Sequence, residues 1–455
     1  MEEYIKKLLE QVRFKKAHRG IAEEIRAHIE DQIEDNMAAG MDREAAEKAA
    51  IEDMGDPVEV GISMDRVHRP QIAWQMVLGA VVVGIIGSII HILLAKSAAV
   101  GGNTGVVNGS SSFILYTVLG IIAMVLVYLM DYTAIARFSR ILAVALFILI
   151  PITDRMGRQI NGTHVFLSVG PITILTTAVM LLYIPLYGGI IYKYKGGKCG
   201  SLIKALLWIV IPCGFVFLIE SKSTAFIMAV SMLAQLTIAI LKGWIKVPKV
   251  PVIAGIWSVF ILSPVILVWG LYSLGTLAEY QMMRLEHMFK ADSPAYYEIN
   301  TVREFARSSG LLGGGSEDIF DRLPSPNSDY VLTYITSTWG TIAVIAVIAA
   351  VGGLIIAGFI TSSKSKNQLG QVMGSGCMMA LLASALLNMG AAFGVIPFFS
   401  SFFPFISAGG SNLIVSYAFL GIIMCIYKYK TAYPQHMDID IRGKIKLGKI
   451  EFIKN

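Results

Sequence analysis

The sequence predicts an all-α polytopic membrane protein with about ten transmembrane helices and a small cytoplasmic helical domain at its N-terminus. Three observations carry this. Hydrophobic residues make up 55% of the 455 and charged residues only 15%, against roughly 45–50% and 25% in soluble domains. Long apolar runs recur from residue 71 to about residue 427. The first 65 residues, in contrast, hold 17 of the 32 acidic residues and nine Lys/Arg. The net charge of +6 therefore divides into about −8 for residues 1–65 and +14 for the remainder. The positive excess belongs to loops beside the membrane, where it is a topology signal and not a nucleic-acid footprint, so no DNA or RNA partner is expected. Collagen, disordered chains and disulfide scaffolds are excluded by the same composition.

Residues 1–65 form the cytoplasmic prefix. A leading helix is expected around Leu8, Leu9 and Val12. Ile21, Ile25, Ile29, Ile33 and Met37 then recur every four residues, the apolar stripe of an amphipathic helix that Gly40 can end. Asp42 can cap a helix through Ala45, Ala46 and Ala49, and Gly55-Asp56-Pro57 supplies a stop, an N-cap and a first-turn proline for another. Residues 23–60 resemble the permease-prefix or HAAS-like helical domains that precede membrane permeases and sensor-like proteins, which implies a docking or regulatory module. A solvated cap that only stabilises the N-terminus is the competing reading. Residues 1–20 are charged throughout, so no cleavable signal peptide is expected and the N-terminus stays in the cytoplasm.

Ten runs meet or approach the roughly 20 apolar residues that cross the hydrocarbon layer. They lie near 72–95, 112–130, 139–152, 171–192, 202–219, 224–242, 252–275, 331–360, 371–393 and 411–427. With the N-terminus inside, Arg137 and Arg140, Lys193, Lys195, Lys198 and Lys204, Lys242, Lys246 and Lys249, and Lys364 and Lys366 all fall on the cytoplasmic side, as the positive-inside rule requires. Both ends are then cytoplasmic. Within 71–427, residues 276–330 make one long extracytoplasmic loop, which carries both charge signs, aromatics and Gly313-Gly314-Gly315. Loops of that length are usually functional or disordered. Residues 428–455 form a basic tail with seven Lys/Arg, suited to lying on anionic lipid or to being merely solvated.

Cys199, Cys213, Cys377 and Cys425 are scattered and the seven histidines lack metal-ligand spacing, so no metal site is expected from side-chain pattern; His91 reads as a hydrogen-bonded packing residue. Carboxylates are scarce after residue 65, which makes Asp329 in LPSPNSDYV (323–331) informative. Two prolines stiffen its approach, and an apolar span follows at once. A carboxylate partly desolvated at that boundary can act as a general base, and it can equally cap the next helix.

Further motifs stand in order around this aspartate. YQMMR (280–284), Tyr297 with SSGLLGGG (308–315), LPSPNSDYVLTYI (323–335), NMG (388–390) and PFISAGGSNL (404–413) together resemble the SEDS family, the shape, elongation, division and sporulation proteins such as RodA, FtsW and SpoVE. The likeness extends with interruptions over 140–427. It implies a glycosyltransferase that polymerises lipid II outside the cytoplasmic membrane in cell-wall synthesis, beside a class B penicillin-binding protein, with Asp329 as the catalytic carboxylate. It further implies that Arg284, Tyr297, Ser407, Gly409, Gly410 and Ser411 bind substrate, and that a divalent cation, Mg or Mn, assists. Lys290, Arg303, Arg307 and Arg322 are further cations able to meet a leaving diphosphate.

The chain also departs from the family. Phe166, Gly162 and Gly170 keep part of one motif, but its Gln-Pro-Ser-Glu has become Leu175-Thr176-Thr177-Ala178, so the family's glutamate and lysine fall on Ala178 and Leu181. Another acidic motif is reduced to Glu220-Ser221-Lys222-Ser223-Thr224, and Glu298 stands where glutamine or histidine is usual. These losses fit a divergent polymerase or a non-catalytic subunit that binds the lipid-linked precursor or a penicillin-binding protein. A polyprenyl-linked sugar transporter ranks last, because few charges face one another within the spans.

Overall fold

A computed structural model describes the chain except for residues 101, 157, 161–162, 170–171, 220, 276–293, 314–318, 397–400 and 434–455. Four helices, α1 (Glu2–Gln11), α2 (His18–Ala38), α3 (Arg43–Asp53) and α4 (Pro57–His68), build the N-terminal unit. Ile21, Ile25, Ile29 and Ile33 are the buried stripe of α2, packed with Leu8 and Ala46, whereas Met37 is exposed. Gly40 and Gly55 adopt φ of +100° and +76°, which favours a residue without Cβ at each helix end. Asp56 caps α4 by accepting from the Val58 amide at 3.1 Å, with Pro57 in the first turn. Asp65 accepts from the Arg13 amide at 2.9 Å and from its guanidinium at 2.6 and 3.0 Å, and that pairing holds its carboxyl below its ordinary value.

The membrane unit comprises α5 (Trp74–Val100), α6 (Thr104–Leu129), α7 (Tyr132–Arg137), α8 (Ser139–Met156), α9 (Thr176–Met180), α10 (Tyr183–Tyr192), α11 (Cys199–Leu218), α12 (Lys222–Leu241) and α13 (Lys249–Ser273). Within the long loop of residues 276–330 lie α14 (Pro294–Ser308) and α15 (Ile319–Arg322), and after it follow α16 (Val331–Trp339), α17 (Thr341–Ser363), α18 (Gln368–Ala392) and α19 (Gly410–Lys428). Among the described residues eight helices are long and apolar enough to cross a membrane, and two shorter apolar segments, Ser139–Thr153 and Thr176–Tyr192, lie at the third and fourth expected spans. The protein is an all-α polytopic membrane protein.

Two expected spans take a different form. Residues 331–360 are not one helix, because Gly340 takes φ +90° and ends α16 before α17 begins. The loop before the fourth span is an antiparallel sheet of β1 (Arg158–Ile160), β2 (Thr163–Val169) and β3 (Ile172–Leu175), and β3 takes the start of the span itself. In register, Phe166 pairs with Leu175 and Val169 with Ile172. The signal was present as a short β-branched run, but it merges with the apolar residues of the helix that follows.

Hydrogen bonds divide the bundle into two faces. On one, Gln71 bonds Lys428, Lys366 bonds Lys430, and Tyr433 donates to Asp131 at 2.6 Å. The N-terminal unit docks on this face, where Phe14 stacks on Tyr429 at 5.6 Å and Thr431 donates to the Val67 carbonyl. The far ends of α5, α18 and the start of α19 meet on the opposite face.

Candidate active site

On that opposite face the Asp329 turn, residues 323–330, runs from α15 to α16. Leu323 and Pro326 are buried anchors, and Ser325 is held at φ +50° while the Ser328 amide donates back to its carbonyl at 3.0 Å. Three successive carbonyls of the turn are then clamped. Asn327 accepts from the Ala408 amide at 2.8 Å, Ser328 from the Ser407 hydroxyl at 2.8 Å, and Asp329 from the Asn388 amide side chain at 2.9 Å. Each such bond contributes about 1 kcal/mol, and all three use the backbone of the turn. Asp329 itself is half-buried at the head of α16.

The clamping loop, 401–409, is rigid for identifiable reasons. Ser407 also accepts from the Phe403 amide at 2.8 Å, so its hydroxyl closes one turn and holds another. Phe405 is a non-glycine residue at φ +64°, locked by an edge-on contact with Tyr417 at 5.2 Å. A backbone held in this way costs about 1–3 kcal/mol and persists only where packing over-determines it. His91 of α5, fully buried and stacked on Phe113 at 4.0 Å, donates Nε2–H to the Ile406 carbonyl at 2.8 Å. Asn388 reaches the Ser401 carbonyl at 2.6 Å with its other N–H.

Helix α14 lies beside the turn with Thr301, Val302 and Phe305 buried. Glu298, one turn before Val302, is half-buried, and that burial raises its carboxyl above the ordinary value. Burial first, then the charges of Glu298 and Asp329, push the Tyr330 phenol above its ordinary value. Tyr297 is exposed and hydrogen-bonds Arg322, whose guanidinium also pairs with Glu304 at 2.5 Å and covers the Phe305 ring at 5.1 Å. Arg303 donates to the Gly394 carbonyl at 3.0 Å, and Arg307 is exposed.

The remaining residues singled out from sequence occupy the start of α19. Gly409 is its N-cap, Gly410 faces the Tyr116 ring so closely that a Cβ would come within 2.5 Å of it, and Ser411 accepts from the Leu175 amide at 2.9 Å. Ser411 thus ties the end of the sheet to the same helix. Arg284 and Lys290 lie outside the described residues, as do Gly162, Gly170 and Glu220. Ala178 and Leu181 are buried and apolar. Among the described residues no group of three His, Cys, Asp or Glu side chains could hold a metal. His91 is the hydrogen-bonded packing residue expected from the sequence, and only its partner, Ile406, 315 residues away, was not legible there.

An aspartate turn held by a distant helix and a distant loop at one end of a helical membrane bundle defines a class, polytopic proteins with a carboxylate site at the membrane surface. The model of the FtsW, RodA and SpoVE cell cycle proteins matches residues 71–432, and the chain belongs to that family. Among its relatives, the probable peptidoglycan glycosyltransferase FtsW of Bacillus subtilis is 26% identical over 313 residues, covering 66% of this chain and 76% of that protein. The peptidoglycan glycosyltransferase MrdB of Escherichia coli is 23% identical over 323 residues, 69% of this chain and 84% of that one. The fold is shared with a chain of a peptidoglycan synthase complex that coordinates polymerization and crosslinking, at TM-score 0.64 and 18% identity over 79% of this chain and 98% of the other. It is shared too with the rod shape determining protein RodA of Thermus thermophilus, at TM-score 0.53 and 16% identity over the same shares.

Proposed function

We propose that this protein is a divergent peptidoglycan glycosyltransferase that polymerises lipid II at the outer face of the bacterial cytoplasmic membrane, with both termini cytoplasmic and a class B penicillin-binding protein beside it. The observation that carries the reading is the clamped Asp329 turn, in which two other motif segments of the family, through Asn388 and through Ser407 and Ala408, fix the backbone that carries this carboxylate. Membership of the family and the names of its relatives support the same chemistry. In the transfer, a sugar hydroxyl of one substrate attacks the anomeric carbon of another. The new C–O bond forms as the bond to the diphosphate breaks, and Asp329 accepts the hydroxyl proton. Arg303 and Arg307, beside the turn, are the cations nearest in sequence that are not ion-paired among the described residues, and they stabilise the departing negative charge. Magnesium ions are commonly held by one or two carboxylates together with substrate phosphates, and the half-buried Glu298 and Asp329 are the carboxylates that would hold one. A cation there would neutralise charge on the diphosphate.

Purified full-length protein given lipid II and Mg should form glycan strands, and Asp329→Asn should lower the rate at least about 100-fold, the usual scale of a positioned general base. Undiminished turnover in a folded Asp329→Asn protein removes the aspartate from this role. The apolar Ala178 and Leu181 favour a second reading, a subunit that binds the lipid-linked precursor without turnover. In that case both proteins retain lipid II and neither makes product. The four-helix N-terminal unit, in either reading, is a cytoplasmic docking module of the permease-prefix kind.

A further inference from the structure

On the face that carries the N-terminal unit, a cleft of about 340 Å³ opens between α8, α10 and α11. Its origin is legible in the chain. Pro212 inside α11 has no N–H, which leaves the Trp208 carbonyl one turn back without its helical partner. The Tyr183 hydroxyl fills that need at 3.3 Å, and the Trp208 indole in turn donates to the Tyr194 hydroxyl at 3.0 Å. These bonds satisfy the polar atoms of the walls, so what remains facing the cleft is apolar, with Val144, Phe147 and Ile211 along its length. Val144 and Ile211 are also half-exposed on the outside of the bundle, 48% and 51%, which opens the cleft sideways to the bilayer. The volume falls at the lower end of the range of small-molecule sites.

The mouth of this cleft is cationic. Lys204 lines it, and the Arg140 guanidinium lies over the Tyr194 ring at 5.2 Å with its Nε buried and unpartnered. Lys193 is close by. Burial first, and then the charge of Arg140, hold its ammonium below the ordinary value. Among the described residues none of Arg140, Lys193, Lys195 and Lys204 forms an ion pair with a carboxylate. Like charges gathered at one point without a counter-ion, above an apolar slot open to lipid, are complementary to a molecule with an anionic head and a hydrocarbon tail.

We propose that this cleft binds one anionic phospholipid of the adjacent leaflet, with an acyl chain between α8 and α11 and the phosphate at Arg140 and Lys204. The site is distinct from the Asp329 turn, which lies at the other end of the bundle, and it does not depend on the chain being a polymerase. Its role is to fix α11, with Pro212 in its interior, against α8 and α10 in the membrane.

The test is native mass spectrometry of the full-length detergent-purified protein titrated with palmitoyl-oleoyl phosphatidylglycerol, with phosphatidylcholine of the same chains, and with inorganic phosphate. One phosphatidylglycerol should be retained in preference to phosphatidylcholine, and phosphate alone should not compete at the same concentration. Arg140→Gln with Lys204→Gln should weaken retention roughly tenfold or more, since each basic side chain near a lipid surface counts for about fivefold. Val144→Trp, at a half-exposed position, should fill the slot and abolish retention with every charge intact. Lys246→Gln with Lys249→Gln, on the same face but outside the cleft, should behave as the wild type. Equal retention of the two lipids, wild-type retention in the Val144→Trp protein, or an equal loss in the Lys246/Lys249 control would overturn the proposal. Displacement by inorganic phosphate would also overturn it, because the ligand would then be a free anion.

Discussion

Ser407 illustrates what single side chains contribute around the Asp329 turn. It was singled out as a substrate contact by resemblance, and its hydroxyl accepts from Phe403 and donates to Ser328. Asn388 does the same work from α18 with both of its N–H groups. Glu298 has a different character, since it is a carboxylate whose burial opposes ionisation. With its native value above the unfolded one, the folded state binds more protons in the interval between the two. Stability is therefore fully retained below the unfolded value and declines as pH rises through the native one. Glu298→Gln should raise the thermal midpoint at neutral pH and leave it unchanged well below the ordinary carboxyl value of 4.5, a comparison that differential scanning fluorimetry across pH can make. A uniform shift at every pH would mean that the effect is one of packing and not of ionisation.

At the scale of elements, the break at Gly340 does most to shape the site. The Thr341 and Ile342 amides, at the start of α17, donate to the Gly310 and Leu311 carbonyls at 3.1 and 3.2 Å. Part of the glycine-rich run that was read only as a motif is thereby pinned to the interruption. A Cβ at Gly340 would come within 2.4 Å of the Gly313 nitrogen, in addition to the strain of φ +90°. Gly340→Ala should thus destabilise the protein by about 1–3 kcal/mol and lower polymerase activity, because α16 carries Asp329 at its head. A thermal midpoint and a turnover rate both equal to wild type would show that the break can relax. The sheet β1–β3 acts at the same scale, since the Ser411 hydroxyl fastens its last strand to α19.

Across the whole molecule, the N-terminal unit is joined to the membrane unit through Phe14 on Tyr429 and the Thr431 to Val67 bond. Tyr429 belongs to an aromatic group with Tyr132 and Tyr433, and Tyr433 donates to Asp131 next to α7. An aromatic pair contributes roughly 0.5–1.5 kcal/mol beyond its buried area. Phe14→Ala should loosen this docking, seen as several-fold faster proteolysis between residues 66 and 73, with little change in the unfolding of the membrane unit. Unchanged cleavage would place the attachment in the α4 to α5 connection instead.

Composition and periodicity determined the membrane class, the apolar stripe of α2 and the Gly55-Asp56-Pro57 helix start, and resemblance to the family picked out the motifs around Asp329. These are properties of neighbours in the chain, where a 3.6-residue repeat or a run of some 20 apolar residues is itself the cause of the structure. The tertiary structure decided the rest. That Asn388, Ser407 and Ala408 clamp three consecutive carbonyls and that His91 holds Ile406 are contacts between segments distant in sequence. No local pattern encodes them, because the partner of a backbone carbonyl leaves no mark on the residue that carries it. The break at Gly340 escaped for a related reason: its neighbours are as apolar as a continuous span, and only the approach of Leu311 and Gly313 requires a residue without a side chain there.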